Sequence, residues 1–219
     1  WYPYDHFNDT ADTNLTAHTI PYDSNFSWTA STGAIICHAT SSSYAKNTGG
    51  ANAIYTTDMG ENELELAMTA TTSSSTASAN DCGLILRYVD ANNYAYATID
   101  TSANTIHVNK VISGSTTSIG TASYSWGAST KHTLAIRMHG TKFRIFVDDV
   151  LQETVGLDDS AINNATKHGI FINASGSDVR IHDFGGLKPL FSGKLKEIRP
   201  RPSKGLQYAY LKGLGRISL

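Results

Sequence analysis

Short runs of alternating apolar and polar residues, each bounded by Gly, Asn, Asp or Ser, recur along most of this chain. Alternation with a period of two places every second side chain on the same face, as in a β-strand that is buried on one side. We predict strands at residues 26–29, 34–39, 52–57, 62–71, 82–89, 94–100, 104–111, 116–124, 131–139, 142–147, 150–155, 167–172 and 179–184. The one helix candidate is a turn or so at residues 158–166. This pattern predicts an all-β fold of two antiparallel sheets packed face to face.

The composition agrees with a β-rich fold and excludes several other classes. Charged residues make up only 16% of the 219 residues, which is too few for a coiled coil or a helical bundle. The sequence has no run of about 18 apolar residues, so we expect no membrane insertion. The chain starts at Trp1 without a basic and apolar leader, from which we expect a processed or excised segment.

Charge divides the chain near residue 185. Residues 185–219 carry eight Lys or Arg against one acid, whereas the preceding 184 residues carry nine bases and 18 acids. The prolines of "IRPRPSKG" exclude a helix and favour an extended arm. We therefore predict a sandwich domain over residues 1–184 and a basic C-terminal arm or linker, with one or two possible strands, over residues 185–219. Such an arm suits self-assembly on the acidic surface of another copy, and no aromatic-interleaved basic platform accompanies it to indicate nucleic acid.

The two cysteines, Cys37 and Cys82, lie in apolar strand-like runs. Neither has the CxxC or Cys/His spacing that is typical of a zinc site. The eight histidines are also scattered, without a His-x-His or His-x-x-x-His grouping. Two alternatives remain open for the cysteines: a buried disulfide that joins two strands, or two free thiols in the core.

The stretch "DCGLILRYVDANNYAYATID", residues 81–100, contains two apolar runs joined by a polar loop. With a four-residue loop at residues 90–93, Arg87 faces Tyr96 and Val89 faces Tyr94 on one side of a hairpin. We predict that this side points away from the core. The opposite side packs inward and consists of Leu84, Leu86, Tyr88, Ala95, Ala97 and Ile99.

The same parity runs through two other predicted strands. Their apolar residues are predicted to point inward: Leu64, Leu66, Met68, Leu134, Ile136 and Met138. The polar residues between them then point outward: Glu63, Glu65, Arg137 and His139. The core is thus accounted for without the polar side chains, which are left for contact with other molecules.

Several pieces of the sequence together resemble a known family. They are "CGLILRYVDANNYAYATID", "NTIHVNKVISGSTTSIG", "KHTLAIRMHGTKFRIFVDD", "KHGIFI" and "VRIHDF". In content and order they are similar to the laminin-G-like and concanavalin A-like jelly-roll family of lectin and glucanase-related modules, over roughly residues 5–184. The resemblance implies a two-sheet jelly-roll sandwich that binds sugars or proteins, often with calcium. It also implies an accessory module in a larger secreted, cell-surface or viral protein.

Sugar binding requires an exposed aromatic plane that stacks on a pyranose ring and fixed polar groups that orient its hydroxyls. Arg87, Tyr94 and Tyr96 supply both on the outward face of the hairpin. We predict that Arg137 and His139 complete the ligand-binding site, with His107 and Arg144 as further neighbours if their strands adjoin. One alternative is a purely structural cation–π pair of Arg87 on Tyr96. Another is a loop-end aromatic platform formed by Trp28, Tyr44, Tyr55 and Trp126.

Three glutamates alternate in "GENELELAM" at positions 61, 63 and 65. On a strand they share one face, as the paired carboxylates of a retaining glycosidase do. The pattern partly resembles the Glu-x-Asp-x-Glu of glucanases, but its central residue is Glu63 rather than an aspartate. We interpret the run as the solvated face of an amphipathic strand, and a glycosidase that uses Glu61 and Glu65 is the minority hypothesis.

Calcium requires several oxygen ligands that converge from loops. Two places offer them: Asp58 with Glu61, and Asp90 with Asn92 and Asn93. Turn formation explains the second set equally well, because Asp and Asn bond their own loop amides. Calcium is therefore a possible ligand, and the sequence defines no metal site.

The combined reading predicts a non-catalytic recognition module that binds carbohydrate or a surface protein, in a larger extracellular or virion-associated protein. The alternative is an architectural component of a viral particle or surface layer that assembles through its C-terminal arm. No Gly-x-Ser-x-Gly elbow and no phosphate-binding loop occurs in the sequence to indicate another chemistry.

Overall fold

A computed structural model describes residues 4–20, 25–39, 43–72, 81–127, 129–173 and 179–187. These residues form two antiparallel sheets, as the alternation predicted. Residues 158–166, the one helix candidate, form turns around residues 160–164. Within the described ranges no helix is long and apolar enough to cross a membrane.

The first sheet has nine strands, in the order β14-β13-β12-β7-β16-β5-β4-β2, with β1 also paired to β16. Their bounds are β1 Tyr4–Asp5, β2 Thr13–Asn14, β4 Ile35–His38, β5 Tyr44–Asn47, β7 Glu65–Thr71, β12 Lys131–His139, β13 Lys142–Val147, β14 Val150–Gly156 and β16 Arg180–Leu187. We call this layer the nine-stranded sheet.

The second sheet has seven strands, in the order β11-β10-β9-β8-β15-β6-β3. Their bounds are β3 Thr29–Thr32, β6 Ala53–Asp58, β8 Cys82–Asp90, β9 Asn93–Asp100, β10 Thr105–Ile112, β11 Ser115–Ser123 and β15 Lys167–Ile172. In both sheets, runs of strands that are consecutive in the chain join strands from distant parts of it, as when β8 and β15 pair at the centre of this one.

The core lies between the two sheets and contains most of the residues that parity assigned to it. Leu84 and Leu86 of β8 are fully buried there, which confirms their predicted inward orientation. The other confirmed inward residues are Leu64, Leu66, Met68, Ala95, Ala97, Ile99, Leu134, Ile136 and Met138. Alternation alone therefore predicted core residues in four of the sixteen strands that the described residues form, namely β7, β8, β9 and β12, and also Leu64, which precedes β7.

The prediction for Arg87 and Tyr88 is wrong, because a β-bulge interrupts β8. The turn between β8 and β9 is short, with Asp90 paired to Asn93, and the register shifts between Leu86 and Asp90. Arg87 takes a left-handed backbone conformation at φ 49°, as bulge residues do. At this residue the alternation is broken, so that Leu86 and Arg87 both point inward and Tyr88 points outward. The Arg87 side chain is consequently buried, while Tyr88 packs with the outer-face residues of the seven-stranded sheet.

Other differences lie at the ends of the sandwich. The short strands β1, β2 and β5 were not predicted, because two to four residues carry too little alternation to be recognised. The strand predicted at 26–29 is displaced to Thr29–Thr32. The basic arm lies outside the described residues beyond residue 187, so the arm and its role in assembly stay predictions.

Cys37 and Cys82 lie on β4 and β8, in different sheets. Both are buried and free. Of the two alternatives left open by the sequence, the structure therefore has two core thiols.

Candidate functional site

Three tyrosines form a continuous aromatic surface on the outer face of the seven-stranded sheet. Tyr94 and Tyr96 alternate on β9, and Tyr88 comes from the neighbouring β8. The ring centroids of Tyr88 and Tyr94 lie 5.7 Å apart, as do those of Tyr94 and Tyr96, with interplanar angles of 37° and 38°. All three side chains are partly exposed. We call this surface the tyrosine face.

A small apolar layer supports the tyrosine face from below. Ile54 of β6, Ile85 of β8 and Phe171 of β15 are buried and form a cluster separate from the main core, with the three tyrosine rings packed against it. Ile85 lies directly opposite Tyr96 across the hairpin. Because this layer holds the rings in place, a ligand that stacks on them meets surface that is already ordered.

Polar groups border the tyrosine face. A pocket of about 160 Å³ is lined by Tyr94, Tyr96 and Phe171 together with the amides of Asn52 and Asn173. Burial raises the pKa of the Tyr94 and Tyr96 hydroxyls, so both stay neutral and can donate hydrogen bonds at physiological pH. Aromatic rings beside amide and hydroxyl groups provide the combination that sugar recognition requires.

Arg87 does not lie on the tyrosine face, because its side chain is buried inside the sandwich, where it donates hydrogen bonds to carbonyls of two loops. Its Nη2 donates to the carbonyl of Gly140 at 2.7 Å, and its Nε donates to the carbonyl of Asn62 at 3.3 Å. The guanidinium lies 4.9 Å from the ring centroid of Phe143. The predicted pairing of Arg87 with Tyr96 is therefore wrong, and the cation–π partner is a core phenylalanine.

Replacement of Arg87 by methionine is expected to lower the free energy of unfolding by about 2 kcal/mol, because two loop carbonyls lose a charged donor. Urea denaturation measures the change. Arg144→Met is the matched control, since Arg144 on β13 is exposed, and its expected effect is within about 0.5 kcal/mol. Equal stability of the two variants would show that the interior contacts of Arg87 contribute nothing.

Arg137 and His139 lie on the outer face of the other sheet, so the structure does not bring them next to Tyr94 and Tyr96. Each pairs with a glutamate. Arg137 Nη2 is 2.6 Å from Glu65 Oε2, and His139 Nδ1 is 3.1 Å from Glu63 Oε2. Arg137 also lies over the Phe146 ring at 4.9 Å. The predicted ligand-binding set is thus divided among the tyrosine face, the interior, where Arg87 lies, and the outer face of the nine-stranded sheet. The role of Arg137 and His139 in binding stays a prediction.

The further predicted neighbours also separate. His107 is on β10 in the seven-stranded sheet, two strands from Tyr88, whereas Arg144 is on β13 in the other sheet. The alternative loop-end platform is wrong, because its four aromatic residues are all buried: Trp28, Tyr44, Tyr55 and Trp126. Tyr88, which no sequence pattern assigned to the outer face, takes the place that had been predicted for Arg87.

The three glutamates do not share one strand. β7 begins at Glu65, and Glu61 lies in the segment before it, where its backbone carbonyl faces His168 Nε2 at 3.0 Å. Glu63 also accepts a hydrogen bond from the Gly140 amide at 2.8 Å. Glu61 and Glu63 both precede β7, so the alternation that suggested paired carboxylates on a strand fails at its first two members.

The two calcium candidates use their oxygens in turns. Asp90 Oδ1 accepts from the Asn92 amide at 2.7 Å and from Asn93 Nδ2 at 3.0 Å. Asp58 Oδ1 accepts from the Gly60 amide and from Thr166 Oγ1, at 2.9 and 2.7 Å. These bonds are the turn chemistry that Asp and Asn favour, and calcium at either place stays a prediction.

Comparisons with known proteins place the fold. No protein-family model and no curated protein sequence matches this chain. Solved structures do match: the carbohydrate-binding module CBM66 from Bacillus subtilis has a TM-score of 0.53 at 16% identity, over 73% of this chain and 90% of that one. The exoplasmic/lumenal domain of VIP36 in its Ca2+/Man-bound form has a TM-score of 0.55 at 11% identity, over 78% of this chain and 85% of that one.

The fold is therefore a jelly-roll sandwich of the type found in lectins and carbohydrate-binding modules, consistent with the concanavalin A-like part of the resemblance. At such low identity these likenesses establish the fold alone, since one fold carries many functions. The laminin-G-like part of the resemblance stays a prediction.

Proposed function

We propose that this protein is a non-catalytic carbohydrate-binding module that holds its ligand on the tyrosine face. The observation that carries the proposal is the row of three tyrosine rings with centroids 5.7 Å apart on the outer face of the seven-stranded sheet. The apolar side of a pyranose ring stacks on an aromatic plane, and its hydroxyls exchange hydrogen bonds with water for bonds with nearby amides.

The support beneath the rings favours binding over a structural role. Core residues are buried between the two sheets. Tyr88, Tyr94 and Tyr96 instead lie on the outer face of one sheet and are partly exposed. A cluster of exposed aromatic groups costs solubility unless it contacts a ligand. Asn52, next to β6, and Asn173, next to β15, line the pocket beside Tyr94 and Tyr96.

The similar proteins add support of a general kind. One is named as a carbohydrate-binding module, and the other is bound to Man in its crystal structure. The second is also named as an exoplasmic or lumenal domain. By analogy we propose that this chain works as a module of an extracellular or lumenal protein.

A glycosidase is the less favoured function. Glu65, one of its two proposed carboxylates, is engaged by Arg137 through Nε at 2.7 Å and Nη2 at 2.6 Å. A carboxylate held by two guanidinium nitrogens is a poor nucleophile and a poor proton donor. Glu65 also lies on β7 of the nine-stranded sheet, away from the tyrosine face.

Replacement of Tyr96 by alanine is expected to weaken glycan binding at least ten-fold, or about 1.4 kcal/mol, because one of the three stacking planes is lost. A glycan array identifies the ligand, and isothermal titration then measures the affinity of each variant. The fold should persist, since the side chain is partly exposed, and the melting temperature checks this.

Phe146→Ala is the matched control, because it removes an aromatic ring from the outer face of the nine-stranded sheet. We expect it to leave the affinity unchanged. Saturable binding that survives Tyr96→Ala and Tyr94→Ala but is lost in Phe146→Ala would show that the site is instead on the outer face of the nine-stranded sheet, beside Arg137. Wild-type protein that binds no glycan would refute the proposal.

A further inference from the structure

Three potential metal ligands from separate segments meet near β2 and β4, at one edge of the nine-stranded sheet. Cys37 points inward from β4, which pairs with β2 so that Thr13 lies opposite Cys37. His18 follows β2 in a tight turn, where its amide donates to the Asn14 carbonyl at 3.1 Å. Asp9 precedes β2. Their ligand atoms all lie within 4.8 Å of one another.

The polar atoms of this cluster are buried without the partners that burial normally demands. His18 Nδ1 and Asp9 Oδ2 are 3.0 Å apart, yet neither has a hydrogen-bond partner of acceptable geometry among the described residues. The His18 side chain is fully buried, and that of Asp9 is 21% exposed. The two atoms are at ion-pair distance but lack hydrogen-bond geometry, and an ion that both of them ligate would satisfy them together.

A second layer of hydrogen bonds fixes His18 in the orientation that metal binding requires. Asp5, itself fully buried, lies with Oδ1 2.8 Å from His18 Nε2. Trp28 Nε1 and the Phe7 amide donate to the same carboxylate at 2.7 and 2.8 Å. A carboxylate that holds one imidazole nitrogen and aims the other at an ion is the usual arrangement behind a histidine ligand. Here the aimed atom is Nδ1, which faces Asp9 and Cys37.

We propose that Asp9, His18 and Cys37 form a zinc site. Thiolate, imidazole and carboxylate together suit Zn²⁺, which prefers a tetrahedral set of such ligands. Tetrahedral zinc ligands lie about 3.3–3.7 Å apart, so the 3.0 Å separation of His18 Nδ1 and Asp9 Oδ2 has to widen slightly and separations of up to 4.8 Å have to shorten. One thiolate and one carboxylate neutralise the ion, which makes the burial of the site electrostatically acceptable. The partial exposure of Asp9 leaves a path for entry and a fourth position for water.

The expected role of the ion is to fasten the N-terminal segment to β4. Without it, β1 and β2 contribute only two residues each to the nine-stranded sheet. A metal that binds the folded state alone raises its stability in proportion to ligand occupancy. The site lies in a different sheet from the tyrosine face, so its test is independent of carbohydrate binding.

The test measures zinc in the full chain, after chelation and after reloading with zinc alone. We expect about one equivalent of tightly held zinc, and an increase in melting temperature of about 5 °C or more on reloading. Cobalt loaded in its place should show the thiolate-to-cobalt charge-transfer absorption that reports a cysteine ligand.

Cys37→Ala should abolish that absorption, whereas Cys82→Ala, which removes the other buried cysteine from the opposite sheet, should retain it. If Cys37→Ala does not fold, Asp9→Asn replaces it, because Asp9 is partly exposed, and we expect it to bind zinc at least ten-fold more weakly. Loss of all zinc from the wild type without effect on its melting temperature would overturn the proposal. So would equal zinc binding by wild type, Cys37→Ala and Asp9→Asn.

Discussion

Replacement of Gly169 by alanine is expected to lower the free energy of unfolding by about 4 kcal/mol, close to the upper end for a single substitution. A Cβ at this position would lie 1.9 Å from the carbonyl oxygen of Tyr55 and 2.8 Å from the Cα of Thr56. Both are backbone atoms of β6, which pairs with β15 at this point. Neither atom can rotate aside, so β6 and β15 must separate.

Urea denaturation of purified variants measures this effect. Gly50→Ala is the matched control, because no atom of the described chain comes within 4 Å of a Cβ built there, and its expected change is within about 0.5 kcal/mol. Gly83→Ala should behave like Gly169→Ala, since its Cβ would meet the Ala97 carbonyl at 2.0 Å. If Gly169→Ala unfolds with the wild-type midpoint, the close approach of β6 and β15 is incorrect.

Acid is expected to destabilise the protein through His168, by about 3 kcal/mol between pH 7 and pH 4. Burial lowers the pKa of His168 from 6.5 to about 4; the Arg87 charge lowers it further, while the Glu61 carbonyl and Asp58 oppose the shift. The folded state therefore takes up the proton less readily than the unfolded state. Stability is complete above pH 6.5 and is lost as pH falls towards 4.

His168→Gln should flatten this part of the pH profile, because glutamine does not titrate. The carboxylates whose pKa lies below its usual value, such as Asp58 and Asp148, weaken the fold only at still lower pH, so the two contributions separate. A wild-type slope in His168→Gln would assign the acid sensitivity to other groups.

Alternation along the strands predicted the fold because each sheet buries one face. The side-chain period is two, and a one-residue slip would expose every core residue, so the pattern of Leu84, Leu86 and their partners admits one orientation. It failed at Arg87, where local sequence carries no sign of a bulge. At the bulge the Arg87 amide donates a hydrogen bond to Nδ1 of His168 at 3.3 Å, a contact between residues 81 positions apart that local sequence does not show.

The candidate sites were only partly accessible from the sequence. Tyr94 and Tyr96 follow from parity on a regular strand, whereas Tyr88 joins them only because of the bulge. Arg137 and His139 were placed beside them without knowledge of strand order, which assigns them to the other sheet. The cluster of Asp9, His18 and Cys37 escaped notice because its members are nine and nineteen residues apart and meet through the pairing of β2 with β4.

The whole tyrosine face comes from residues 88–96, around a single two-residue turn. On its inward side, β9 contributes Ala95, Ala97 and Ile99 to the core, and none of them lies on the tyrosine face. Mutation can therefore exchange the three rings for other side chains while the interior remains intact. Related sandwiches can therefore come to bind different ligands through changes in this one hairpin, with little loss of folding stability.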